Sequence, residues 1–124
     1  MDRVFITIGA LSGFLAVALG AFGAHSLRDR LSADMLQVFQ TGVTYQMYHA
    51  LALIGVGLLL TRFSVDGSPW LLGSGWLFVA GSLLFSGSLY VLSLSGVTWS
   101  GAITPLGGIA FLLGWLALAL SVWR

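Results

Sequence analysis

Residues 4–24 read VFITIGALSGFLAVALGAFGA, from Val4 to Ala24, 21 residues without a charge. At about 1.5 Å per helical residue this run reaches across a hydrocarbon core of about 30 Å. Its small residues Gly9, Gly13, Ala16, Gly20 and Gly23 recur at steps of four, three, four and three. That spacing keeps one helical face free of bulk, so another backbone can approach it. A signal peptide has a similar outline, with Met-Asp-Arg before the run and Ala21-Phe22-Gly23 after it. The apolar run exceeds the usual ~7–15 residues, so the segment is read as a retained span.

The rest of the chain repeats the pattern. Of 124 residues, 58% are hydrophobic and 7% charged, against about 25% charged in an ordinary soluble domain. Lys and Glu do not occur, and the nine charges are Asp2, Arg3, Arg28, Asp29, Arg30, Asp34, Arg62, Asp66 and Arg124. They sit at the two ends and in two connections, which delimits spans at about 4–24, 42–61, 70–94 and 105–123. The expectation is an all-α membrane protein, a single domain over 1–124 built as a four-transmembrane-helix bundle. A net charge of +1 leaves no basic surface for nucleic acid. The absence of cysteine excludes disulfides and thiolate chemistry.

Residues 25–40 form an amphipathic interfacial segment between the first two spans, with Leu27, Leu31, Met35, Val38 and Phe39 on one face. Ser32 is placed to cap a helix and Asp34 to face its positive end, which predicts one helix from Ala33 to about Thr61. Asp66-Gly67 and Ser68-Pro69 then mark a turn. In the third span Ser74, Gly81 and Ser88 stand seven apart, a period suited to left-handed crossing. Thr104-Pro105 opens the fourth span with a capping hydroxyl and a proline at the first helical position. Gly107, Ala110, Gly114 and Ala117 give it a second smooth face, and Trp123-Arg124 closes the chain at the interface. The simplest use of the two smooth faces is packing of span one on span four, with assembly through the third.

Inside the second span stands Tyr45-Gln46-Met47-Tyr48-His49. An imidazole, a carboxamide and two phenols within five residues are costly in lipid unless they have partners. Tyr45, Gln46 and His49 share a face that points into the bundle, and Tyr48 flanks it. His49 and His25 are candidate cofactor or metal ligands, but they are separated along the axis and no thiol or carboxylate completes a site. The readings preferred are interhelical hydrogen bonding for Tyr45, Gln46 and His49, and a helix C-terminal role for His25. No metal, no other cofactor and no catalytic residue are therefore expected.

Four strings stand together in order: Gly20-Ala21-Phe22-Gly23-Ala24-His25, Tyr45-Gln46-Met47-Tyr48-His49-Ala50-Leu51, Phe85-Ser86-Gly87-Ser88-Leu89-Tyr90 and Ile103-Thr104-Pro105-Leu106-Gly107-Gly108. In these the chain resembles the YgdD-type small inner-membrane proteins, domain-of-unknown-function family 423, related to eukaryotic transmembrane protein 256. The resemblance implies a four-span bacterial inner-membrane protein, with no established activity, substrate or cofactor.

Three function classes follow. The first is a structural or accessory membrane protein acting through helix packing, with membrane lipids, a second copy or another membrane protein as partners. The second is a binder of a lipid, quinone or other small amphiphile at the Tyr45–His49 cluster. The third is an oligomeric transporter or channel, which the lack of an intramembrane carboxylate disfavours. An enzyme is not expected, because no nucleophile stands beside a base. Arg3, Arg62 and Arg124 against Arg28 and Arg30 favour both termini in the cytoplasm.

Overall fold

The computed structural model describes residues 1–63 and 68–123. Among the described residues four helical spans are long and apolar enough to cross a membrane, and no strand occurs. The first joins α1 (Asp2–Phe22) to a single π turn at Gly23–Leu27. The second is α2 (Ala33–Phe63), an unbroken helix of 31 residues. The third runs through α3 (Pro69–Gly81), a π turn at Ser82–Ser86 and α4 (Gly87–Ser95). A 3₁₀ turn at Thr98–Ala102 leads into α5 (Thr104–Ser121), which forms most of the fourth.

The helix ends follow local chemistry. Ser32 Oγ accepts from the Met35 N–H at 3.2 Å, so α2 begins where its cap predicts. The amphipathic stretch is thereby divided between the first π turn, a short connection and the opening turns of α2. Ser68 caps α3 by accepting from Trp70 N–H at 3.2 Å, with Pro69 at the first helical position. Gly96 ends α4 in the left-handed region at φ 73°, which a residue with a Cβ enters only at a cost. Asp66-Gly67 and Arg124 lie outside the described residues.

Thr104 departs from its expected role. The chain enters α5 already helical at Ile103, so the Thr104 hydroxyl caps nothing. It meets Ser88 Oγ instead, at 2.5 Å, and ties the fourth span to the third.

The smooth faces are also used differently from the expectation. The first span packs chiefly on the second and the fourth chiefly on the third, not on each other. Gly9 lies on Ala50 and Ile54, Gly20 on Val43 and Gly23 on Phe39, an antiparallel register of α1 against α2. Gly107 meets the backbone of Phe85 and Gly114 meets Phe78, so α5 runs antiparallel to the third span. Short connections hold each helix beside its sequence neighbour, and that neighbour takes the small-residue face. Ala16, Ala110 and Ala117 are buried in the same two interfaces. Ser74, Gly81 and Ser88 are buried too, Gly81 beneath the Phe111 ring, so the third span turns these small residues into the bundle.

The two pairs join through α2 and the third span. Ser86 Oγ donates to the Gly42 carbonyl at 2.7 Å, and Gly42 sits under the Tyr90 ring. Below them Phe5, Leu53, Val56, Leu60, Leu71, Phe78 and Phe111 make the apolar core. Phe5 reaches it from α1 by crossing Gly75, with Trp76 edge-on at 5.2 Å. Asp2 lies beside Gly57 and Phe5 beside Gly75, while the α5 register runs toward the same level. The start of α1 and the end of α5 thus lie at one end of the bundle.

Candidate functional site

The polar cluster of α2 divides into two bonded groups, one turn apart and facing different neighbours. Gln46 is the upper one. Its Nε2 donates to the Ser12 carbonyl of α1 at 2.9 Å, and its Oε1 accepts from the Tyr90 hydroxyl of α4 at 2.5 Å. One carboxamide therefore bridges three helices. Burial makes both bonds matter, since a lone amide in hydrocarbon costs several kcal/mol.

His49 is the lower one, 3% exposed. Its Nδ1 lies 2.7 Å from the Tyr45 carbonyl, which can only accept, so Nδ1 carries the proton. Its Nε2 lies 3.0 Å from Trp115 Nε1 of α5, which can only donate. The two partners together fix a neutral imidazole with its lone pair on Nε2. The ring stacks on Phe111 with centroids 3.5 Å apart and planes within 6°. Phe78 closes the other approach at 5.4 Å, and its own ring lies 4.9 Å from Trp115.

The His49, Phe111 and Trp115 rings join α2 to α5 here. Beside them a groove of about 420 Å³ opens toward the lipid, walled also by Tyr45, Phe85 and Leu112. Tyr45 is 39% exposed and rests on Phe85 at 4.8 Å. The π turn at Ser82–Ser86 carries Phe85 to this wall, and Gly107 lets α5 come against it. Tyr48 is 57% exposed on the lipid side, edge-on to Tyr45 at 5.8 Å.

The predicted residues are thus only partly together. Gln46 and His49 point into the bundle, Tyr45 lies at its rim and Tyr48 lies outside it. His25 is apart from all of them. It is exposed in the π turn that ends the first span, at the C-terminal position expected of it. Since Gly23 is level with Phe39, His49 lies about ten residues farther along, roughly 15 Å down the axis. Among the described residues no three His, Asp or Glu side chains are grouped to hold a metal ion.

Sequence reasoning missed Trp115, Phe111, Phe85 and Tyr90. A signal existed for two of them. Trp115 carries an indole donor in the middle of its span and Tyr90 a phenol near the end of its own, and each needs a partner once out of water. Phe85 and Phe111 carried none, because an apolar ring in a membrane helix needs no explanation.

No solved structure matches the chain. A UPF0382 membrane protein of Staphylococcus saprophyticus is 45% identical over 124 residues, covering 98% of each chain. The UPF0382 membrane protein YwdK of Bacillus subtilis is 50% identical over 119 residues, covering 96% of this chain and 95% of that one. The family described as "Protein of unknown function (DUF423)" matches residues 19–108. With most of its length in that match and relatives near half identity end to end, this integral membrane protein belongs to the DUF423 family.

Proposed function

We propose that the protein is a non-enzymatic structural or accessory component of a bacterial inner (plasma) membrane, working through its helices with both termini in the cytoplasm. The observation that carries this reading is the commitment of the buried Gln46 and His49 side chains to partners on neighbouring helices. Gln46 ties α1, α2 and α4, and His49 ties α2 to α5. Side chains spent on holding helices together are not poised for chemistry. The lipid-facing surfaces remain for lipid, a second copy or another membrane protein.

Thermal unfolding of the purified protein tests it through Gln46→Leu. The substitution should lower stability by about 0.6–2 kcal/mol, in the range of interhelical hydrogen bonds in membranes. An unchanged unfolding midpoint would mean that the cluster does not hold the bundle, and the structural reading would fall.

A second reading is favoured by the groove beside His49, in which a membrane-dissolved amphiphile binds. Its volume lies within the range of ligand pockets, and its lining is apolar with few polar atoms.

A further inference from the structure

We infer that the groove recognises a neutral membrane-dissolved alcohol, whose hydroxyl inserts between Trp115 Nε1–H and His49 Nε2. The inference rests on the second reading above and supplies the chemistry of its ligand.

The His49 Nδ1–H is held by the Tyr45 carbonyl of its own helix, so Nε2 can only accept. The one partner of Nε2 is the Trp115 indole. Trp115 stands on the groove rim, 46% exposed, with its inner side on His49 and the Phe78 ring, so an outward swing breaks one hydrogen bond and parts one ring contact. His49 therefore presents a buried acceptor behind a displaceable donor.

Complementarity then selects the ligand. When Trp115 moves, Nε2 needs a donor and the indole N–H needs an acceptor. A hydroxyl supplies both from one oxygen and leaves neither group unpaired. An ether or an ester satisfies the indole alone and strands Nε2. A charged headgroup is excluded, since no ionic side chain lines the groove and an unpaired charge at this depth is costly. The opening toward lipid lets an apolar tail stay in the bilayer while the head is bound. Prenyl alcohols and diacylglycerols both carry this chemistry.

The test uses the full chain in phosphatidylcholine nanodiscs, with binding corrected against empty discs. Radiolabelled farnesol should bind saturably, about tenfold more tightly than farnesyl methyl ether, the difference expected for one stranded acceptor. Trp115→Phe keeps a ring but removes the competing donor, and should bind farnesol more tightly than the native chain. His49→Phe should erase the preference for alcohol over ether; if that variant does not fold, Trp115→Phe carries the test. Dioleoylglycerol in a parallel arm separates the sources: saturation by it alone, or by farnesol alone, identifies the natural class. Equal affinity for alcohol and ether would overturn the hydroxyl inference while leaving an amphiphile-binding groove. Absence of saturable binding by either alcohol or the ether would overturn both.

Discussion

A Cβ placed on Gly9 would stand 2.7 Å from the carbonyl oxygen of Ala50, so α1 and α2 touch through backbone at that point. Helices in lipid gain little from burying apolar side chains, and close approach of this kind is what holds them together.

Gly9→Ala should therefore destabilise the protein by about 1–3 kcal/mol through overpacking, because a backbone oxygen on a helix cannot step aside. Gly13→Ala is the control. A Cβ there meets Ala50 Cβ at 3.8 Å and Met47 Sδ at 3.9 Å, ordinary contacts. That variant should match or slightly exceed native stability, since alanine is the better helix former. Thermal unfolding of the pair in one detergent checks the contrast.

The fourth span has its own contact of this type. A Cβ on Gly107 collides with the Phe85 backbone, whereas one on Gly114 meets the Phe78 ring at 2.7 Å. Gly107→Ala should cost more than Gly114→Ala, because a ring can shift and a main chain cannot. Gly114→Leu should loosen the monomer by about 1–3 kcal/mol. Loss of an oligomer with the monomer's unfolding unchanged would instead place this face outside the bundle.

How much of this was legible follows from what each residue type announces. The stripes in spans one and four announced that a backbone comes close, and the structure puts one there. They did not announce whose, since a glycine face specifies no partner, and the choice fell to connection length. Ser32 revealed the start of α2 because its cap bond is local. Thr104 misled for the converse reason: its partner, Ser88, is 16 residues away. In the polar cluster the need for partners was visible in Gln46 and His49, while Tyr90 and Trp115 could be matched to them only in three dimensions.

The Gln46 bridge gives a sharper test than either end alone. Tyr90→Phe and Gln46→Leu should each lower stability by about 0.6–2 kcal/mol. Combined, they should cost clearly less than their sum, since both remove the same bond. Strict additivity would show that the two side chains do not act together.

Topology is checked by labelling. Single cysteines at Ser68 and Ser32 lie at opposite ends of the bundle, and should react from the cytoplasmic and external sides respectively. Reaction of Ser32→Cys from the cytoplasm would invert the orientation. Reaction of both from one side is incompatible with α2 crossing the membrane.

The pairing of each smooth face with its neighbour in sequence bears on biogenesis. The α1–α2 unit needs nothing from the rest of the chain for its close contacts, Gly9 on Ala50 and Gly57 on Ile6, and can close once residue 63 has left the insertion machinery. The third and fourth spans form a second such helical hairpin, closed by Gly107 on Phe85. What remains is docking of two preformed halves in the plane of the bilayer, through Ser86 to Gly42 and Tyr90 to Gln46. Split between Phe63 and Pro69 and produced as two polypeptides, the halves should find each other in the membrane.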